Sequence, residues 1–288
     1  MEMQNRIKLI AGFIAYASFL AGEAQSQVAW QRNMDKAREQ ARRERKLILA
    51  DFWAHWCGPC LAMDRHVWSQ KDVTELSEKF VCVKINADFS RSLMMQYELK
   101  AIPAMLFLDG FGNALFHFTG YKSAGEMKGI MQSLPAEFAE MYEILSLLEE
   151  QPDSLAPKIK LADYYLALGM SLFAKLPVNN LFLSSNKYYK SAWESKEIKD
   201  HPQLLDRVET CRALNHLFLG EAGKAKKLAE NCLKAFPASE NRPAQLYCLV
   251  RANWDLGEQA TAREYLTRLE SEYPDSDFFK WAIELSSK

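Results

Sequence analysis

The sequence lacks a charge excess of either sign: 36 Lys and Arg stand against 37 Asp and Glu in 288 residues. Without a net field, nothing gathers nucleic acid or an anionic membrane, and both drop out as expected partners. A second Cys-x-x-Cys is also missing. A zinc site normally takes four ligands, so the single pair at Cys57 and Cys60 lacks its other half, and no metal is expected. The apolar run near the start, LIAGFIAYASFL, is shorter than the roughly 20 residues that span a bilayer. No cysteine follows it, which argues against a lipoprotein anchor. Beyond Gln151 no strand pattern remains.

What is present is ordinary for a chain that buries a core: 49% hydrophobic and 25% charged residues. The length suits two domains. The opening MEMQNRIK, the apolar run and then AGEAQSQ follow the order of a secretory signal, with cleavage after Ala24 or Ser26. Residues 1–24 are expected to be that signal and the protein to be exported, to a compartment such as the periplasm; the alternative is an uncleaved membrane anchor.

The basic run from Arg32 to Lys46 reads as the solvated face of a helix over Trp30 to Lys46. Trp30, Met34, Ala37 and Ala41 form its apolar face, with Asp35–Arg38 and Glu39–Arg43 as ion pairs. Then follow the strand KLILADFW, a helix from Gly58 to about Lys79, and the strand FVCVKINAD. A helix near Arg91 to Leu99 precedes two strands, AMLFLDG and ALFHFTG, joined as a hairpin through Asp109, Gly110, Gly112 and Asn113. A helix from Ser123 to about Leu134 closes the unit, and another is expected over Ala136 to Glu150. The rhythm is α/β over residues 28–134, with residues 135–153 as a connecting helix.

Residues 154–288 read as all-α. LGEAGKAKKLAENCLKAFP, Leu219 to Pro237, aligns with LGEQATAREYLTRLESEYP, Leu256 to Pro274, at an offset of 37. A looser copy is expected at Leu168-Gly169, with Ala174 five residues after the glycine. The Gly, Ala and Pro spacing resembles the tetratricopeptide repeat, which implies a binding surface rather than chemistry; a generic bundle of helical hairpins is the alternative.

In DFWAHWCGPC, Asp51 to Cys60, a strand delivers Cys57 to a helix N-terminus, where free N–H groups and the helix dipole stabilise a thiolate. Cys57 is therefore the expected nucleophile. Pro59 fits the first turn, where its missing N–H costs nothing, and Gly58 leaves room for a partner sulfur. Cys60, one turn in, is expected to be the more covered, resolving thiol. The other cysteines are read as core thiols, although Cys211 and Cys248, 37 apart, could approach one another.

WCGPC resembles the motif of the thioredoxin family, and the resemblance extends from about Val28 to Met131. Asp51, six residues before Cys57, matches the family's buried acid, and Lys84 matches the lysine near it. Ile102-Pro103 resembles the cis-proline loop and Gly120 the glycine of a later substrate-contacting loop. The resemblance implies a thioredoxin fold, here followed by the tetratricopeptide-like helical domain. It also implies a redox disulfide between Cys57 and Cys60, with Asp51 accepting the Cys60 proton. Trp53, Trp56, Ile102 and Pro103 would form an apolar substrate rim, and no cofactor beyond the disulfide is needed. Gly-Pro between the cysteines is similar to reducing members, and the wider stretch resembles exported disulfide reductases, including the C-terminal domain of DsbD. The implied partners are disulfide-containing proteins, a membrane electron donor and a protein held on the repeats, in a role in redox homeostasis. Fusion to such repeats also resembles chaperedoxins, which leaves open a chaperone-like binding protein or a scaffold.

Overall fold

The computed structural model describes residues 27–286. The expected signal segment lies outside the described residues. Among the described residues, no helix is long and apolar enough to cross a membrane.

The chain begins with an extended segment in which Gln31 bridges Val83 in parallel. Helix α1 covers Met34–Glu44, capped by the Asn33 side chain. Trp30 therefore lies outside the helix it was expected to begin, because Asn33 takes an extended conformation and its side chain accepts the Lys36 N–H. The buried stripe is Met34, Ala37 and Ala41. Asp35 pairs with Arg38 at 3.7 Å, whereas Arg43 reaches Glu44 rather than Glu39.

Strand β1 is Ile48–Trp53, followed by α2, Gly58–His66, and α3, Lys71–Ser77. The single helix expected from Gly58 to Lys79 is thus two. Val67 and Trp68 both bond back to the Met63 carbonyl, and their side chains turn into the core, so the chain breaks before Gln70 starts the next helix. Strand β2, Val81–Asn86, precedes α4, Arg91–Gln96. Strands β3, Ala104–Leu108, and β4, Ala114–Thr119, form the expected hairpin. The sheet order is β2-β1-β3-β4, with β1 parallel to β2 and antiparallel to β3. Helix α5, Ala124–Ser133, starts on a capping box between Ser123 and Glu126.

Helix α6, Ala139–Glu150, begins three residues later than expected. It leads into α7, Leu155–Leu172, and α8, Asn179–Trp193, then α9, Pro202–Phe218, and α10, Ala222–Ala235. Helices α11, Arg242–Asp255, α12, Gln259–Glu272, and α13, Asp277–Ser286, complete the described residues. This all-helical region fits a helical repeat. The turns into α10 and α12 both use a glycine at positive φ, Gly220 at 75° and Gly257 at 78°, a conformation that other side chains rarely adopt. The looser copy at Gly169 is not such a turn. Gly169 lies inside α7, and a Cβ there would meet the Phe182 ring at 2.8 Å, so the residue serves close packing of α7 on α8. Ala174 lies in the connection rather than in the second helix.

One apolar core runs through both regions. Their junction also carries a polar knot. Asp109, fully buried in the β3–β4 turn, accepts the N–H groups of Phe111 and Asn113 at 2.8 and 3.0 Å and the Tyr165 hydroxyl at 3.3 Å. Tyr142 on α6 donates to the Lys46 carbonyl and accepts the Gly110 N–H at 2.8 Å. Tyr142→Phe strands both backbone groups, and a loss of about 1–3 kcal/mol is expected in urea unfolding. An unchanged midpoint would mean that solvent satisfies them.

Candidate active site

Strand β1 ends at Trp53, and the turn that follows sets Cys57 as the N-cap of α2. The Cys57 N–H bonds the Ala54 carbonyl at 3.1 Å, and its sulfur accepts the Cys60 N–H at 3.2 Å. Pro59 falls in the first turn, where no intrahelical N–H is needed. The two sulfurs are joined as a disulfide. In this oxidised state both cysteines are almost equally covered, 4% and 3% exposed, so Cys60 is not the distinctly deeper one.

Ala54, Cys57 and Cys60 form a small apolar cluster closed by Trp53 and Ile102. The Ile102–Pro103 bond is cis. The Gly120 N–H donates to the Pro103 carbonyl at 2.8 Å, which joins the two loops, and Gly120 sits at φ 84°. Trp56 stands 71% exposed, and its indole N–H is shared by both Asp88 oxygens at 3.1 Å. The Asp88 carboxylate thereby ties down the indole of an exposed ring that directly precedes Cys57 in the chain.

Asp51 lies in the middle of β1, in register with Lys84 on β2 and Met105 on β3. It is 2% exposed, and burial pushes its carboxyl up to about 7, although the Lys84 ammonium 3.7 Å away pulls it back. Lys84 also binds Asp64 on α2. Its ammonium lies 5.0 Å from the Trp53 ring centroid and 5.7 Å from that of Trp30. Lys84 is therefore enclosed by two carboxylates and two indoles rather than spread on the surface.

The sequence-predicted residues Cys57, Cys60, Gly58, Pro59, Trp53 and Ile102, with Pro103 next to Ile102, surround the disulfide. Asp51 and Lys84 form a buried pair on the adjoining strands. Asp64, Trp30, Trp68 and Asp88 carry no motif in the sequence and join this neighbourhood only through their contacts in the fold. Asp64 follows Cys60 by four residues, so the helical repeat alone puts both on one face of α2. Trp30 was hidden by its assignment to a helix. Cys82, Cys232 and Cys248 are buried, and Cys211 is half-buried; all four are free thiols, with burial raising Cys82 and Cys232 to about 12 and Cys211 to about 11. Such protonated thiols are poor nucleophiles.

Residues 29–110 match the family described as Thioredoxin-like. Thioredoxin-T of Drosophila melanogaster is 34% identical over 80 residues, covering 28% of this chain and 49% of that protein. A thioredoxin of Chlorobaculum thiosulfatiphilum is 35% identical over 65 residues, covering 23% of this chain and 58% of that protein. The chain spans about half the length of these curated relatives. Among solved structures, the germline-specific thioredoxin Deadhead of Drosophila melanogaster shares 29% identity at a TM-score of 0.31, over 38% of this chain and 100% of that one.

Proposed function

From the premise that residues 29–110 are a thioredoxin-like domain, we propose that the chain is a thiol-disulfide oxidoreductase that reduces protein disulfides. The observation that carries this reading is the Cys57–Cys60 disulfide at a helix N-terminus, with the buried Asp51 carboxylate on the strand that leads to it. In the reduced enzyme the helix end favours the Cys57 thiolate, which attacks a substrate disulfide and releases one substrate thiolate. Cys60 then loses its proton to Asp51 and attacks Cys57. The intramolecular disulfide re-forms, and the second substrate sulfur leaves as a thiolate. Two electrons have passed from the cysteine pair to the substrate. The resident redox group is the disulfide itself.

Trp53, Trp56, Ile102, Pro103 and Gly120 supply the docking rim. Ile102 and Trp53 close the apolar cluster at the sulfurs, and the Gly120–Pro103 bond keeps the two loops together. The helical region, residues 154–288, recruits a protein partner. Export to a periplasm-like compartment, directed by the N-terminal apolar segment, then calls for a membrane donor that returns electrons to Cys57 and Cys60.

The test is the reduction potential of the pair, read by equilibrating the protein with dithiothreitol or glutathione buffers. A value near about −270 mV supports a reductase. A value near about −120 mV makes the protein an oxidant and reverses the electron flow proposed here.

A further inference from the structure

A single ammonium, that of Lys84 on β2, stands within 4.0 Å of two carboxylates, Asp51 on β1 and Asp64 on α2. It cannot neutralise both. With both acids ionised one negative charge is left over, and a proton on either of them removes it.

The geometry decides which acid takes that proton. Lys84 Nζ donates a hydrogen bond to Asp64 Oδ1 but stays 3.7 Å from Asp51 Oδ2, beyond hydrogen-bond reach. Asp51 Oδ1 has no hydrogen-bond partner. The Asp64 side chain keeps 33% of its surface in solvent against 3% for Asp51, so an anion costs more at Asp51. The Trp53 and Trp30 rings, with centroids 5.0 and 5.7 Å from Nζ, hold the ammonium inside this enclosure. The remaining groups around Asp51 bring no charge: Met105 is its register partner on β3, and the Trp68 indole after α2 is neutral. Helix α2 adds the Cys57 and Cys60 thiols once the disulfide is reduced.

We infer that Asp64 is a positioning residue: by engaging Lys84 it withholds that cation from Asp51, so that Asp51 is the acid that carries the proton and exchanges it with Cys60. The inference rests on the thiol-disulfide reading above for its catalytic meaning, whereas the competition for Lys84 is a property of the fold. With Cys57 in mixed disulfide with substrate, the Cys60 proton passes to Asp51. The Cys60 thiolate forms the S–S bond to Cys57, and the substrate thiolate leaves with the electron pair of the broken bond. Asp51 then gives its proton to solvent. Lys84 and Asp64 exchange no proton in this step.

Carboxyl carbon NMR of the reduced protein against pH reads the Asp51 midpoint in the wild type, in Asp64→Asn, and in each of these combined with Lys84→Met. Asp64→Asn frees Lys84 to turn to Asp51, and the midpoint falls by about 1–2 pH units. From the wild-type value of about 7, a fall of one unit raises the ionised fraction at pH 6 roughly fivefold. In the Lys84→Met background the same substitution removes only the repulsion between the two acids, and the fall is roughly half as large or less. Release of thionitrobenzoate from its mixed disulfide with Cys57 gives the kinetic reading. The acid limb of its pH profile moves down with the midpoint, where a merely structural role would lower the rate at every pH alike. The wild type alone supplies one more reading: the carboxyl signal that moves near neutral pH belongs to Asp51. An unmoved midpoint in Asp64→Asn, an equal fall with and without Lys84, or a neutral-pH signal at Asp64 in place of Asp51 overturns the inference. The two readings fail separately. Absent insulin reduction in the wild type with a lowered midpoint in Asp64→Asn removes the proposed function alone, whereas an active wild type with an unmoved midpoint removes only the role of Asp64.

Discussion

Cys57→Ser brings dithiothreitol-driven insulin reduction down to the background of the reagent, a loss of at least roughly 10²-fold, while the protein stays folded. The serine hydroxyl can still serve as N-cap of α2, where the Cys57 sulfur now accepts the Cys60 N–H. It cannot form a disulfide with substrate, so the first covalent step is lost rather than slowed. Cys60→Ser behaves differently. Its Cys57 still attacks, but no thiol returns to release the product, and the enzyme accumulates as an adduct that dithiothreitol reverses. Intact-mass measurement after exposure to a disulfide substrate separates the two variants. Full activity in Cys57→Ser would move the chemistry away from this pair.

Asp51→Asn has opposite effects on stability and on turnover. The folded protein holds the Asp51 proton up to about pH 7, against an ordinary value of 3.8, because burial penalises the anion. A folded-state pKa raised above the unfolded one stabilises the protein below the unfolded value, and that contribution is lost as pH climbs from about 4 to about 7. The three-unit gap corresponds to about 4 kcal/mol at most. Asn, which never ionises, escapes this loss but buries an amide with incomplete hydrogen bonds. Asp51→Asn is therefore expected to be more stable than wild type by roughly 2–4 kcal/mol at pH 8 and nearly equal to it at pH 4.5, as read from urea midpoints. Its mixed disulfide should live longer at every pH, because Cys60 loses its proton acceptor. A stability difference that is the same at both pH values would mean that Asp51 is ionised throughout.

Much of this architecture was legible in the chain because its signals are local. The strand KLILADFW, the cysteine spacing and the turn between β3 and β4 each depend on neighbours in sequence, and the structure has them close to where they were expected. The departures arise where distant residues decide. Val67 and Trp68 continue a helical pattern, yet the core accepts both side chains only if the helix stops. Gly169 has the sequence dress of a turn, but the Phe182 ring, thirteen residues on, needs its missing side chain within a helix. Trp30 fits the apolar stripe of α1, whereas pairing of Gln31 with Val83 pulls it onto the sheet. At the site, Asp51 and Lys84 could be matched by resemblance. The attraction of Lys84 to Asp64 could not, since it depends on how α2 lies over β2.

The knot at Asp109 has a consequence for the order in which the protein is made. Tyr165 follows Asp109 by 56 residues, an interval of roughly 3–11 s at ordinary rates of synthesis. All the residues around the disulfide are synthesised before Tyr142 and Tyr165. Until Tyr142 is added, the β3–β4 turn has Asn113 and its own backbone to satisfy Asp109, but no hydroxyl for the Gly110 N–H. A released chain truncated after α5 should accordingly be cut by protease at this turn, and one extended through α7 should resist. The redox pair is thus synthesised early and framed late.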